Sequence, residues 1–185
     1  VKPLQAVAMG LVIVALSARA DGYDLVADPL GWLLVLRGMT QLPRSTPWWD
    51  TTTFLAGLAL LVSVPLWFPG VVDALAGTDD SLTWAANLPQ IAFVATLCAA
   101  LARTATEAGD RSPASWLKTG STLTVAAGVL PIVVYTVEPS LLLPLLLLAT
   151  VALVLVIVLL FRYSSRPWAL PGVDQTATHA EGVDT

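Results

Sequence analysis

Few side chains in this chain are able to do chemistry, and they fall in three places. Asp24 and Asp28 stand four residues apart, so on one continuous helix both carboxylates would share a face. Paired carboxylates near a membrane surface can bind a cation or relay a proton. The competing reading is structural. Asp28 caps the helix that Pro29 opens, favoured by the positive helix N-terminus, while Asp24 faces water. Arg37 lies in the apolar run LLVLRGMTQL. It can pair with a carboxylate or line a polar path for an anion. Alternatively it snorkels, its stem reaching the headgroups near Gln41, Pro43 and Arg44. Depth matters here, because an arginine held in hydrocarbon costs at least about 2.5 kcal/mol. Asn87 and Gln90 flank Pro89. Two amides around a proline suit a broken helix that offers polar groups to a solute. The alternative is hydrogen bonding between helices near the external interface, with a bend at the proline.

Other chemistries lack their residues. There is no glycine-rich phosphate loop, HExxH, GxSxG or CxxC. Cys98 is the single cysteine and sits in an apolar run, where it is expected to behave as a small buried hydrophobe. His179, the single histidine, lies in a polar C-terminal stretch. No metal or cofactor is expected, no catalytic constellation forms, and the chain reads as a non-enzyme. A net charge of −4 with nine basic residues leaves no footprint for nucleic acid.

The elements that hold these residues follow from composition. Of 185 residues, 56% are hydrophobic and 12% charged, and the mean hydropathy is +0.78. A water-soluble domain carries about 25% charged residues. Half that charge cannot coat a wetted surface, so the composition predicts an integral membrane protein. Crossing a bilayer takes about 20 mostly apolar residues, and the runs 51–68, 84–102, 117–137 and 140–161 meet that length. They lack the alternation of barrel strands.

The N-terminal part has two weaker runs, expected as spans over 3–20 and 25–42: the first is apolar only from Pro3 to Ser17, and the second is interrupted by Asp28, Pro29 and Arg37. Lys2, a short apolar run and Ala18-Arg19-Ala20 match the regions of a cleaved secretory signal. The same residues also suit a first membrane helix joined by a tight hairpin to the second. The helix is favoured because multi-pass proteins are usually oriented by their first retained span. The expected fold is therefore all-α. It has six transmembrane helices, a short N-terminal hairpin against a four-helix bundle, in one domain over 1–162 with a flexible cytoplasmic tail over 163–185.

Orientation comes from the basic residues. With both termini cytoplasmic, Lys2, Arg44, Arg103, Arg111, Lys118, Arg162 and Arg166 fall inside, and the opposite loops at 21–28, 70–83 and 138–139 have no Lys or Arg. That is the pattern of the positive-inside rule. Tryptophans mark the same boundaries: Trp48 and Trp49 open the third span, Trp67 closes it, Trp84 opens the fourth and Trp116 the fifth. Thr46-Pro47, Ser112-Pro113 and Asp28-Pro29 each offer a capping side chain before a first-turn proline. The predicted location is a bacterial inner membrane.

The stretch Asp24-Leu-x-x-Asp28-Pro-x-Gly31-Trp32-Leu resembles a motif of small uncharacterised bacterial multi-pass membrane proteins. Those carry Asp-Leu-x-Pro-Asp-x-x-Gly-Tyr-Leu after their first membrane segment. Here Ala27 stands where the motif has proline, the proline follows Asp28, and Trp32 replaces tyrosine. The resemblance covers about a dozen residues. It implies a retained first helix and no particular activity. Two functions are open: an accessory or assembly protein whose partners are the bilayer and another membrane protein or a second copy, and a small-solute or ion permease using Asp24, Asp28, Arg37, Asn87 and Gln90.

Overall fold

In a computed structural model of the chain, residues 2–16, 19–20, 23–24, 28–68, 70–71, 80–137 and 142–170 are described. The sequence positions Asp73, Asp79, Glu138 and His179 lie outside them. Six helices run in order: α1 (Pro3–Ala15), α2 (Asp28–Gln41), α3 (Trp49–Leu66), α4 (Asp80–Glu107), α5 (Arg111–Val137) and α6 (Leu142–Tyr163). Two short strands, β1 (Arg19–Ala20) and β2 (Tyr23–Asp24), link α1 to α2, and a 3-10 turn, Pro167–Ala169, follows α6.

Among the described residues, three helical segments are long and apolar enough to cross a membrane: Trp49–Leu66, Trp84–Glu107 and Leu143–Tyr163. Their outer faces show why. Leu143, Leu146, Leu147, Val151, Val154 and Val158 are all exposed on α6, as are Phe54, Leu61 and Val64 on α3. Apolar surface on this scale is not sustained in water, whereas facing lipid it is solvated. The chain is a helical membrane protein with three candidate spans.

The first two helices are shorter than the expected spans at 3–20 and 25–42. They contain 13 and 14 residues, a rise of about 20 Å each, against a hydrocarbon core of roughly 30 Å. Neither crosses as helix alone. Beyond them the backbone pairs with itself as an antiparallel ladder, Arg19 opposite Asp24 and Ala20 opposite Tyr23. Strand pairing satisfies amides that have left the helix, which a low-dielectric surrounding demands.

Short as it is, α1 is largely buried. Leu4, Val7, Ala8 and Leu11 have no exposed surface, as expected for a helix apolar on every side. It packs on both α2 and α6, so the N-terminal hairpin is built into the bundle and does not merely lean on it. Its contact with α2 is backbone to backbone. A Cβ added to Gly10 would stand 2.5 Å from the Gly31 carbonyl oxygen, and one on Gly38 would stand 2.8 Å from the Pro3 carbonyl oxygen. Beside Gly31 on α2, Trp32 is 2% exposed and meets Phe93 of α4 edge-on at 5.4 Å.

Small residues also set the α4–α5 seam. Gly128 admits the Ile91 side chain, and a Cβ there would lie 2.7 Å from it. Ser121 donates to the Ala95 carbonyl at 2.9 Å, and the Trp84 indole donates to the Gly128 carbonyl at 3.0 Å. Gly120 brings α5 against Val156 of α6 and Cys98 of α4.

Two helix starts differ from their expected caps. α3 begins at Trp49, after Trp48 in a left-handed conformation with φ of 54°. Thr46 and Pro47 belong to the preceding turn, in which the Thr46 carbonyl accepts the Trp49 amide at 3.2 Å. α5 begins at Arg111, and Asp110, two residues before the expected Ser112, supplies the carbonyl that closes the first turn on Ala114. α2 does begin at Asp28-Pro29. Packing also continues past 162: Tyr163, Ser164 and Ala169 are buried.

Candidate functional site

The helices sort the polar side chains into two ends. At one end, contacts join segments far apart in sequence. Lys2 Nζ donates to Ser165 Oγ at 2.7 Å, which puts the start of α1 beside the end of α6. The Trp49 indole donates to the Met39 carbonyl at 3.2 Å, bracing the α2–α3 turn. Arg44 lies 5.3 Å above the Trp49 ring, and Arg103, near the end of α4, lies 4.9 Å above the Trp48 ring.

Asp110 organises the neighbouring α4–α5 turn. Its Oδ2 accepts the Trp168 indole at 3.3 Å and pairs with Arg166 at 3.4 Å, while Trp168 also rests near Tyr163. Gly109, with φ of 78°, makes the sharp reversal that turns the chain into Asp110. This end therefore gathers Lys2, Arg44, Arg103 and Arg166, four of the residues that charge distribution groups on one face. Arg19 is the exception. It lies past the other end of α1, opposite Asp24 in the strand ladder.

The candidate residues do not meet. Asp24 is in β2 and Asp28 begins α2, so no continuous helix carries both and the shared face that such a helix would give them is not formed. Asp28 is partly buried at that helix start. Arg37 is exposed on the outer side of α2, in helical phase with exposed Leu30 and Leu33, while Gly31, Trp32, Val35, Gly38 and Met39 turn inward. It forms no ion pair among the described residues, and its carbonyl accepts Thr40 Oγ1 at 2.9 Å.

Asn87 is exposed and Gln90 partly buried, on a helix that continues through Pro89. Arg37 sits two residues from Met39, at the end where Arg103 also lies. From Arg103 back to Asn87 along α4 is about 24 Å of helix rise. Arg37 is thus separated in depth from the two amides.

The buried polar groups between helices are mostly hydroxyls turned back on their own helix. Thr52 donates to the Trp48 carbonyl, Ser63 to Leu60, Thr124 to Gly120 and Ser164 to Phe161. A hydroxyl satisfied this way offers little to a solute. Among the described residues no group of three or more His, Cys, Asp or Glu gathers as a metal site.

Sequence reading missed the Asp110 cluster and the two Arg–Trp pairs, whose local signals are only a Trp-Trp doublet near Arg44 and an aspartate after glycine. Within the stretch Asp28-Pro-x-Gly31-Trp32, the described positions start α2, admit α1 and contact α4. No protein-family model, curated protein or solved structure matches the chain.

Proposed function

We propose that the protein is a six-crossing bacterial inner-membrane protein with both termini cytoplasmic, acting as a non-enzymatic accessory or assembly partner. α3 to α6 cross as helices in this reading. α1 and α2 complete their crossings through the paired strands, whose self-satisfied backbone makes a non-helical outer end tolerable. The end rich in Lys and Arg faces the cytoplasm. The stretch that resembles a motif of small bacterial multi-pass proteins would imply a retained first helix.

The observation that carries the accessory role is the separation of Arg37 from Asn87 and Gln90, together with an interior of apolar and small residues. A permease needs polar groups converging on a path near the midplane. Here Arg37 shares the outer face of Leu30 and Leu33, where its stem can reach the cytoplasmic headgroups.

The test is solvent access. In a Cys98→Ala background, Asn87→Cys should react with a membrane-impermeant maleimide from the external face only, and Arg37→Cys from the cytoplasmic face or not at all. Labelling of either position from both faces would identify a through path and overturn the accessory reading in favour of the permease.

A further inference from the structure

At the end that gathers the basic residues, two neighbouring tryptophans each carry a guanidinium: Arg103 over Trp48 at 4.9 Å and Arg44 over Trp49 at 5.3 Å. Arg44 and Arg103 are both exposed and form no ion pair among the described residues, not even with Asp50 in the first turn of α3. Trp49 is fixed by its bond to the Met39 carbonyl. Trp48 is 48% exposed at the very start of a candidate membrane span. Stacking on an aromatic face leaves a guanidinium's in-plane N–H fork free for an oxyanion.

The geometry points to a binding surface for the phosphate of an anionic phospholipid, formed by Arg44 and Arg103 on the Trp48-Trp49 platform. Tryptophan rings settle at headgroup depth, which is where lipid phosphates lie. The paired rings hold two cations there that form no ion pair among the described residues. The positive charge calls for an anion, and the indoles at the edge of an apolar span call for one attached to acyl chains. The surface rests on the bilayer placement proposed above and extends it to a lipid class.

The experiment uses the full chain in phosphatidylcholine vesicles doped with phosphatidylglycerol, reading retained lipid by native mass spectrometry after release into mild detergent. Wild type should retain phosphatidylglycerol in preference to phosphatidylcholine. R44Q with R103Q should weaken that retention about fivefold per guanidinium, roughly twenty-five-fold together. K118Q with R162Q, which removes the same charge elsewhere, should leave it in place. R44K with R103K keeps the charge and removes the planar fork, and should also lose retention.

Equal loss in the two glutamine pairs would reduce the effect to diffuse surface charge and overturn the proposal. Full retention in the lysine pair would do the same. Inorganic phosphate should not displace the lipid; displacement would contradict the lipid assignment. Carbonate extraction separates the two levels. A chain stripped from the vesicles fails the bilayer reading, whereas a chain that stays and shows no phosphatidylglycerol preference fails this inference alone.

Discussion

Gly10 of α1 and Gly31 of α2 meet through their backbones, so closely that a Cβ on Gly10 would lie 2.5 Å from the Gly31 carbonyl oxygen. The same Cβ would lie 2.9 Å from the Val35 amide nitrogen. Since backbone atoms cannot swing aside as a flexible side chain can, any larger residue must push the helices apart. Close approach of this kind is what small residues permit between membrane helices.

Gly10→Val should therefore destabilise the protein by about 3 kcal/mol, at the upper end of what overpacking a tight interior costs. Gly57→Val is the control, because nothing lies within 4 Å of a Cβ there. It should change stability by less than about 0.5 kcal/mol. Denaturant titration of both variants in detergent micelles checks the difference.

Trp32 and Phe93 should be energetically coupled. Truncating either removes buried area, but the edge-to-face contact at 5.4 Å and 80° belongs to the pair. A double-mutant cycle with Trp32→Leu and Phe93→Leu should return a coupling of about 1 kcal/mol. A coupling near zero would mean that α2 and α4 are held by shape alone.

Asp110→Ala should loosen the segment after α6. Its carboxylate receives both Trp168 and Arg166, although Arg166 is half exposed, so the ion pair is screened and the expected loss is about 1 kcal/mol or less. Chymotrypsin cutting after Trp168 reports this directly and should be several-fold faster in the variant at the same enzyme ratio, since a local opening of that size changes the open population by about fivefold.

Arg37→Leu should insert into the bilayer more readily than wild type. An arginine on a lipid-facing helix surface only lengthens its stem to reach water, and its removal relieves up to about 2.5 kcal/mol on insertion scales. Membrane-fraction yield and thermal stability should hold or rise. Misfolding of the variant would reveal a partner for Arg37 and contradict its outward placement.

Much of this arrangement is legible from residue types, and the failures have particular causes. Hydropathy locates α3, α4 and α6 because a largely apolar run of span length is costly to expose to water and favourable in hydrocarbon. The basic residues near turns, such as Arg44 and Arg103, mark a common end because charge is expelled from that same hydrocarbon. Gly120 and Gly128 likewise announce a packing face that the α4–α5 seam uses. Hydropathy extends α1 to residue 20 because Leu16 and Ala18 are apolar, yet apolarity does not show where the backbone leaves the helix for β1.

Arg37 draws attention because it interrupts an apolar run, and only the phase of α2, fixed by Gly31 and Gly38 against α1, turns it outward. Thr46-Pro47 has the local form of a cap, but the left-handed Trp48 delays the helix. The Asp110–Trp168 bond joins positions 58 residues apart, and no local pattern encodes such a contact. The four-residue spacing of Asp24 and Asp28 has meaning only on a continuous helix, which the strands remove.

In the proposed six-crossing topology, α1 and α2, though too short to cross as helices, carry their strand link through to the external face. Single cysteines at Tyr23 and Ser165 in a Cys98→Ala background, probed with an impermeant maleimide on oriented vesicles, measure it directly. Six crossings predict Tyr23→Cys labelled only from the external face and Ser165→Cys only from the cytoplasmic face. Tyr23→Cys that labels from the cytoplasmic face, or remains unreactive until the membrane is dissolved, would make the first pair re-entrant and contradict the six-crossing topology.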